Sequence, residues 1–305
     1  MKKQTFLTAL LMIVLLALAA SAAGELVRVV RNKLSAGDLA SGIQAVEDYK
    51  RQHGVDAEYL EAVGWLARGA EMLNQPDAAA AYVAELRREI KEEKEEWLAA
   101  LGAAIEVEGK LRARREGRGF AINFLETEFA KAKSLSLKSR IRKNINLLSL
   151  EGQPAPELNL NDYVGAKPAS FAALKGKPVL LFLWAHWCGD CRAQAASLAR
   201  VAEKFRAQGL VVMAPTRYYG SGAEGKDATP AEEKVHVEKV WKESYPGLES
   251  VPVVIDTEGM IRYGVSATPT FALIDRKGIV RFYSPTRVAE AELSRRIEAV
   301  LAEAP

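Results

Sequence analysis

Cysteine and histidine are scarce in this sequence. Its 305 residues include two cysteines, Cys188 and Cys191, and three histidines, His53, His186 and His236. A structural zinc site needs four such ligands, and the histidines form no second ligand pair beside the cysteines. In an oxidising compartment, surplus cysteines would be drawn into disulfides. A chain whose only cysteines are separated by two residues has nothing else with which to mispair.

The sequence also lacks an excess of charge of either sign. It has 42 Lys and Arg residues against 39 Asp and Glu residues, a formal net charge of +3. Lys2 and Lys3 lie in a segment that we expect to be removed, which leaves 40 basic against 39 acidic residues and a net charge of +1. Such a balance gives no electrostatic attraction for nucleic acid, and we predict no nucleic-acid partner.

The N-terminal segment has the pattern of an export signal. Lys2 and Lys3 precede an apolar run over residues 6–20, and small residues follow at Ala20, Ala22 and Ala23. This pattern predicts a cleaved secretory signal peptide over residues 1–23. The alternative is an uncleaved membrane anchor, since the run approaches the length that spans a bilayer. No cysteine lies nearby, so lipidation there is excluded.

Strand-forming residues are few between residues 24 and 150, where Ala, Glu, Lys, Arg and Leu predominate. Apolar residues recur at helical spacing and predict about six helices. Starts of helix pairs near Asp38, Pro76 and Gly119 are separated by 38 and 43 residues, as in helical-hairpin repeats. We predict an all-α domain over residues 24–150, of helical-hairpin or tetratricopeptide-like type. Two roles remain open for it: a packed helical cap, or a surface on which proteins dock.

Pro154 and Pro156 end the helical pattern and predict a second domain over residues 151–305. Strands are predicted at residues 158–160, 179–183, 210–214, 251–255, 270–274 and 279–283. A helix is predicted over residues 230–243, with Val235 among its buried positions, and a last one over residues 289–301.

The two cysteines follow the apolar run 179–183, which is typical of a strand buried on both faces. Apolar residues at helical spacing come directly after them, so Cys188 is predicted at a helix N-terminus. Free backbone N–H groups and the helix dipole favour a thiolate there. Cys191 is then placed to attack any disulfide that Cys188 forms with another molecule. A purely structural disulfide is the weaker interpretation, because a four-residue loop restricts the unfolded chain little.

Three motifs resemble the thioredoxin superfamily and its extracytoplasmic TlpA/ResA-like branch. They are the WCxxC sequence that ends at Cys191, the lead-in around residues 152–158 and 174–179, and the segment 264–280 with Pro269. The resemblance covers roughly residues 152–303. It implies a thioredoxin-like α/β domain with a central mixed sheet flanked by helices, and a periplasmic protein-disulfide reductase that needs no cofactor.

The resemblance also implies roles for individual residues. Thr268 and Pro269 correspond to a cis-proline loop that faces the disulfide and pairs with substrate, and Trp187 to an exposed platform beside Cys188. Substrates would be disulfides of exported proteins, as in cytochrome c maturation, and electrons would come from a membrane thiol donor.

Three positions depart from the family pattern. Phe182 stands where thioredoxins have a buried acid, so proton transfer to the second cysteine has no obvious side-chain partner. Asp190 replaces the frequent proline, and His186 replaces a small polar or acidic residue. We expect Asp190 and His186 to tune the acidity of the cysteine thiols, and we expect His186 to be exposed.

Two other functions remain open. A copper chaperone on the same fold would need a third ligand, for which His236 is the candidate. A scaffold led by the helical domain would use the redox domain only as an accessory. The intact cysteine pair favours the reductase, with no resident metal.

Overall fold

The computed structural model describes residues 24–303, which divide into two compact units. The first unit ends at Lys133 and the second begins at Ser134. The predicted signal peptide, residues 1–23, lies outside the described residues. Among the residues that are described, no helix is both long and apolar enough to cross a membrane.

The first unit is helical, as its composition predicts. Its helices are α1 (Glu25–Ser35), α2 (Leu39–His53), α3 (Ala57–Met72), α4 (Pro76–Glu89), α5 (Leu98–Arg115) and α6 (Arg118–Lys131), with a 3₁₀ turn at Glu95–Trp97. The Asp56 side chain caps α3 by accepting a hydrogen bond from the Tyr59 N–H, as expected from its position. Helix α1 was not predicted, because its eleven residues bury only Leu26 and Val30 and give periodicity little to detect.

Helix α7 (Leu135–Ser149) lies in the second unit, although the sequence pattern groups it with the helices before it. Its Asn146 side chain donates a hydrogen bond of 3.0 Å to the Arg262 carbonyl. Gly264 approaches the α7 backbone so closely that an added Cβ would lie 2.4 Å from the Lys143 nitrogen. The division between the units therefore comes one helix earlier than the predicted boundary at residue 150. Periodicity shows that a helix is amphipathic but not which core its apolar face joins.

The second unit contains the predicted mixed sheet flanked by helices. Its remaining elements are β1 (Tyr163–Val164), α8 (Phe171–Leu174), β2 (Val179–Leu183), α9 (Gly189–Arg206), β3 (Val211–Met213), α10 (Pro230–Ser244), β4 (Val253–Val254), α11 (Thr257–Arg262), β5 (Thr270–Ile274), β6 (Val280–Ser284) and α12 (Glu290–Ala302). The four-stranded sheet has the order β3-β2-β5-β6. Strand β2 is parallel to β3 and antiparallel to β5, which is antiparallel to β6. Strands β1 and β4 form a separate antiparallel pair.

Strand β2 is buried on both faces, as its apolar run predicts. Leu180 and Phe182 join the hydrophobic core that contains both cysteines. Val179, Leu181 and Leu183 join a second core on the other face, with Leu150 and Met260. The strand is thus fixed from both sides, and the residues that follow it leave the sheet at a defined place.

Two local predictions in this unit are wrong, and one helix was missed. Residues 158–160 form no strand, because the Asn159 N–H donates to the Asp256 carboxylate and the Asn161 N–H to the Asn159 side chain. Helix α11 was not predicted at all. Val235 is 69% exposed on α10, where Val237 is buried instead.

Candidate active site

The cysteine pair lies at the point where the chain leaves β2 and enters α9. Cys188 is the N-cap residue of α9, and its sulfur accepts a hydrogen bond of 3.0 Å from the Cys191 N–H. The two cysteines form a disulfide, with their Cα atoms 5.2 Å apart. Cys188 is 4% exposed and Cys191 is 0% exposed. Cys188, the residue predicted to react first, is therefore slightly less buried than Cys191, and its sulfur is in contact with a backbone donor that can stabilise a thiolate.

A cis-proline loop borders the disulfide. The Thr268–Pro269 peptide bond is cis, and the Thr268 carbonyl oxygen lies 3.4 Å from the Cys188 sulfur. Thr270, the first residue of β5, pairs with Leu183 at the end of β2. Its hydroxyl donates to the Ala267 carbonyl and closes the loop. Because β2 and β5 are neighbours in the sheet, the two predicted loops meet at one edge.

The two tryptophans around the motif have different surroundings. Trp184 is fully buried and donates its ring N–H to the Ala214 carbonyl at 3.2 Å. Trp187 is 54% exposed next to Cys188, and its ring packs edge-on against Tyr219 with centroids 5.4 Å apart. An aromatic surface thus lies beside the disulfide, formed by one predicted residue and one that was not predicted.

The core side of the cysteine pair is apolar. The Phe182 ring packs against Phe271 and Tyr245, with centroids 5.3 and 6.2 Å away. Burial raises the pKa of Tyr245, whose hydroxyl has no hydrogen-bond partner among the described residues. Aromatic packing therefore occupies the position at which the family pattern has an acid.

Asp190 projects into solvent from the first turn of α9. Its carboxylate lies 3.8 Å from the Arg287 guanidinium, with the two side chains 68% and 54% exposed. An exposed carboxylate with a nearby cation exerts a weaker repulsion on a thiolate than an unpaired one. We therefore expect Asp190 to have a smaller effect on the acidity of the cysteine thiols than its place in the motif suggests.

The prediction that His186 is exposed is wrong. Its side chain is 2% exposed, and its Nε2 lies 3.1 Å from the carboxylate of Glu233, which is 0% exposed. Burial lowers the pKa of His186 below its ordinary value of 6.5, and nearby His236 and Arg192 act in the same direction while Glu233 opposes them. The imidazole is therefore neutral at pH 7 and directed at a carboxylate.

His236, the candidate third ligand for copper, lies beside His186. Its ring lies 5.0 Å from that of His186. Within residues 24–303, no three His, Cys, Asp or Glu side chains are grouped as metal ligands would be.

Comparison with known proteins agrees with this geometry. Residues 150–297 match the Redoxin family. The chain is 28% identical to thioredoxin-like protein YneN of Bacillus subtilis, over 48% of this chain and 79% of YneN. It is 26% identical to the thiol-disulfide oxidoreductase ResA of Geobacillus thermodenitrificans, over 49% of this chain and 77% of ResA.

A solved structure of a thioredoxin-family thiol:disulfide interchange protein from Chlorobium tepidum is also similar. It is 22% identical with a TM-score of 0.38, covering 49% of this chain and 98% of that one. The Redoxin match and the similarity to ResA confirm the resemblance and the thioredoxin-like fold that the three motifs predict.

Sequence reasoning missed the residues that surround His186. Glu233 follows Glu232 in the first turn of α10, and both are acidic residues near a helix N-terminus. Glu232 completes a capping box with Thr229, whereas Glu233 is the one that turns inward. The sequence signal for a helix start was present, but only the fold shows which carboxylate faces the active-site loop.

Proposed function

We propose that this protein is an extracytoplasmic thiol-disulfide oxidoreductase that reduces disulfides in exported proteins. The observation that supports it most directly is the position of Cys188, at a helix N-terminus and against the Thr268 carbonyl. Its relatives named thioredoxin-like protein and thiol-disulfide oxidoreductase support the same reaction class. Export rests on the predicted signal peptide over residues 1–23.

The reaction requires the reduced form of the cysteine pair. The Cys188 thiolate attacks one sulfur of the substrate disulfide, and the other substrate sulfur leaves as a thiolate. Cys191, deprotonated, then attacks the Cys188 sulfur in the mixed disulfide and releases the second substrate thiolate. The substrate gains two electrons, and the enzyme is left with the Cys188–Cys191 disulfide seen in the structure. An external dithiol must reduce that disulfide, and we assign this role to a membrane thiol donor.

Substrate would bind along the edge formed by Trp187, Thr268 and Pro269. Thr268 is half-buried, and its carbonyl faces the Cys188 sulfur, so an extended peptide can be held close to the reacting atoms. The backbone contact provides little sequence selectivity, whereas the exposed ring of Trp187 offers an apolar surface. Oxidised apocytochromes fit this substrate class, as do other exported proteins with accessible disulfides.

The surroundings of His186 favour the reducing direction. Strongly oxidising enzymes of this class have a reduced form that is stabilised, often by a cation beside the thiolate. His186 cannot supply that cation at neutral pH, because burial lowers its pKa and outweighs the opposing effect of Glu233. We therefore expect the thiolate to rely on the helix N-terminus alone, which leaves the couple more reducing.

Two variants and one potential test the proposal. Cys188→Ser should abolish dithiol-dependent reduction of protein disulfides. Cys191→Ser should instead accumulate mixed disulfides with exported proteins, which mass spectrometry would identify. Equilibration with glutathione should give a potential well below the roughly −120 mV of the strong oxidant DsbA. A potential near that value would overturn the reducing direction, and preferential trapping through Cys191 would reverse the roles of the two sulfurs.

The domain organisation remains part of the proposal. We infer that the thioredoxin-like region carries all of the chemistry and that the helical region influences which substrates are used. The helical docking surface and the packed cap are both compatible with its numerous ion pairs, such as Arg68–Glu106 and Arg87–Glu128.

A further inference from the structure

Glu233 is a fully buried carboxylate at the first turn of α10. Its Oε1 lies 3.1 Å from His186 Nε2 and accepts a hydrogen bond of 2.7 Å from the Tyr219 N–H. Its Oε2 accepts one of 2.8 Å from the Gly220 N–H. Moving a carboxylate out of water is costly unless hydrogen bonds replace those to water. The three donors provide that replacement, so α10 is tied at one point to two other segments.

The two segments held by Glu233 carry an aromatic pair, in which Trp187 is exposed and Tyr219 is half-buried. His186 directly precedes Trp187, and Tyr219 is itself the partner ring, 5.4 Å away at an angle of 81°. The Arg217 guanidinium lies over the Tyr219 ring, 4.7 Å from its centre. Removing the carboxylate would remove one contact from each of the two segments at once.

The His186 ring also packs edge-on against the Tyr219 and His236 rings, with centroids 5.9 and 5.0 Å away. Two further contacts near His186 act on the backbone. The Arg192 guanidinium donates to the His186 carbonyl at 2.8 Å, and the Cys188 N–H donates to the Ala185 carbonyl at 3.0 Å. These bonds keep the cysteine turn in shape without reaching Tyr219. Loss of the Glu233 carboxylate should therefore disturb the aromatic pair more than the disulfide.

We propose that Glu233 is a positioning residue that fixes Trp187 and Tyr219 as a two-ring docking surface for protein substrates. The preferred substrate would carry an apolar or aromatic side chain next to its disulfide-bonded cysteine. This inference rests on the proposed function, in which Trp187 borders the substrate path. It adds a residue that influences substrate selectivity. This residue lies on helix α10, 47 positions after His186 in the sequence.

The kinetic test compares three oxidised substrates. One is a small disulfide, bis(2-hydroxyethyl) disulfide, and two are disulfide peptides that carry Phe or Gly next to a cysteine. Glu233→Ala should raise KM for the Phe peptide about tenfold and leave kcat within about twofold, the change expected from losing one aromatic contact. The rate with the small disulfide should stay within about twofold, and the preference for Phe over Gly should disappear.

Further variants distinguish positioning from a general loss of structure. Glu233→Gln should have an intermediate effect, because its amide NH₂ must face at least one N–H donor. Glu243→Gln changes an exposed carboxylate on the same helix and should behave as wild type. Tyr219→Ala should reproduce the KM effect of Glu233→Ala, so the test stands even if the latter variant fails to fold.

A double-mutant cycle gives the decisive outcome. In a Trp187→Ala background, Glu233→Ala should cause no further increase in KM if the two act as one unit. Additive effects would overturn the proposal, as would an equal loss of rate with all three substrates.

An optical measurement separates this inference from the enzymatic function. Iodide quenching of Trp187, measured as the difference from Trp187→Phe, should increase in Glu233→Ala. If the wild-type protein reduced no disulfide, this measurement would still test positioning. Unchanged quenching would overturn the positioning role whatever the activity.

Discussion

Two carboxylates in the active-site region have opposite surroundings. Asp190 is solvent-exposed and lies 3.8 Å from Arg287, so salt and water screen its charge. Glu233 is buried and accepts bonds from two backbone N–H groups while facing His186. Judged by distance along the sequence alone, Asp190 would be expected to affect the site more than Glu233, because it lies between the two cysteines. The effect of a charge on this site depends on its burial and partners more than on its place in the motif.

The buried imidazole makes stability depend on pH. Burial lowers the pKa of His186 in the folded protein below 6.5, its ordinary value in the unfolded chain. At a pH between the folded and the unfolded pKa, the unfolded chain therefore binds a proton that the folded chain does not. Stability should therefore fall as the pH decreases below about 6.5, with a slope of at most about 1.4 kcal/mol per pH unit for one proton. Urea unfolding at pH 7.5 and pH 5.5 measures this dependence.

The control for this prediction keeps the hydrogen bond and removes the titration. His186→Gln can still donate to Glu233 but binds no proton, so its pH dependence should be smaller than that of the wild type. His53→Gln, at an exposed histidine of the helical unit, should leave the dependence unchanged. A wild-type dependence retained in His186→Gln would assign the proton to another group.

At the scale of elements, the close approach of Gly264 to α7 makes this glycine hard to replace. Its φ is +64°, and an added Cβ would lie 2.4 Å from the Lys143 nitrogen and 2.6 Å from its Cα. Gly264→Ala must accept a left-handed conformation and also push helix and loop apart. We expect a loss of about 2–4 kcal/mol in the free energy of unfolding.

Gly278 provides a matched control, because its φ is +80° and nothing lies within 4 Å of an added Cβ. Gly278→Ala should lose only the backbone contribution of about 1–2 kcal/mol. Urea unfolding of both variants isolates the contribution of the helix contact. Equal losses would mean that α7 is not held against this loop.

The secondary-structure elements that could be predicted from the sequence are those whose bounds follow from the local pattern of apolar residues. The apolar run of β2 and the strand at residues 270–274 were predicted with the observed bounds, and the cysteines lie at a helix start as expected. The pairing of His186 with Glu233 was not predictable, since it joins residues 47 positions apart and a lone histidine carries no sign of its partner. The same applies to α7, whose amphipathic pattern fits either core.

At the scale of the whole molecule, the position of α7 determines where the catalytic unit can be separated. We predict that a chain covering residues 134–305 folds and reduces bis(2-hydroxyethyl) disulfide at a rate close to that of the full chain. A chain starting at Gly152 lacks the Asn146–Arg262 hydrogen bond and the buried side chain of Leu150. It should lose at least about 2 kcal/mol, the value of one buried Leu.

Thermal unfolding of the two shortened chains, with their rates on the small disulfide, tests this division. The chain 134–305 should keep the rate with the small disulfide yet differ from the full chain with protein substrates, if the helical unit influences substrate choice. The chain 152–305 should unfold at a lower temperature, because the face of Gly264 that α7 covers becomes exposed. Equal stability of the two would restore the boundary at residue 150. Loss of small-disulfide activity in a folded 134–305 chain would show that the helices before Lys133 contribute to the chemical step.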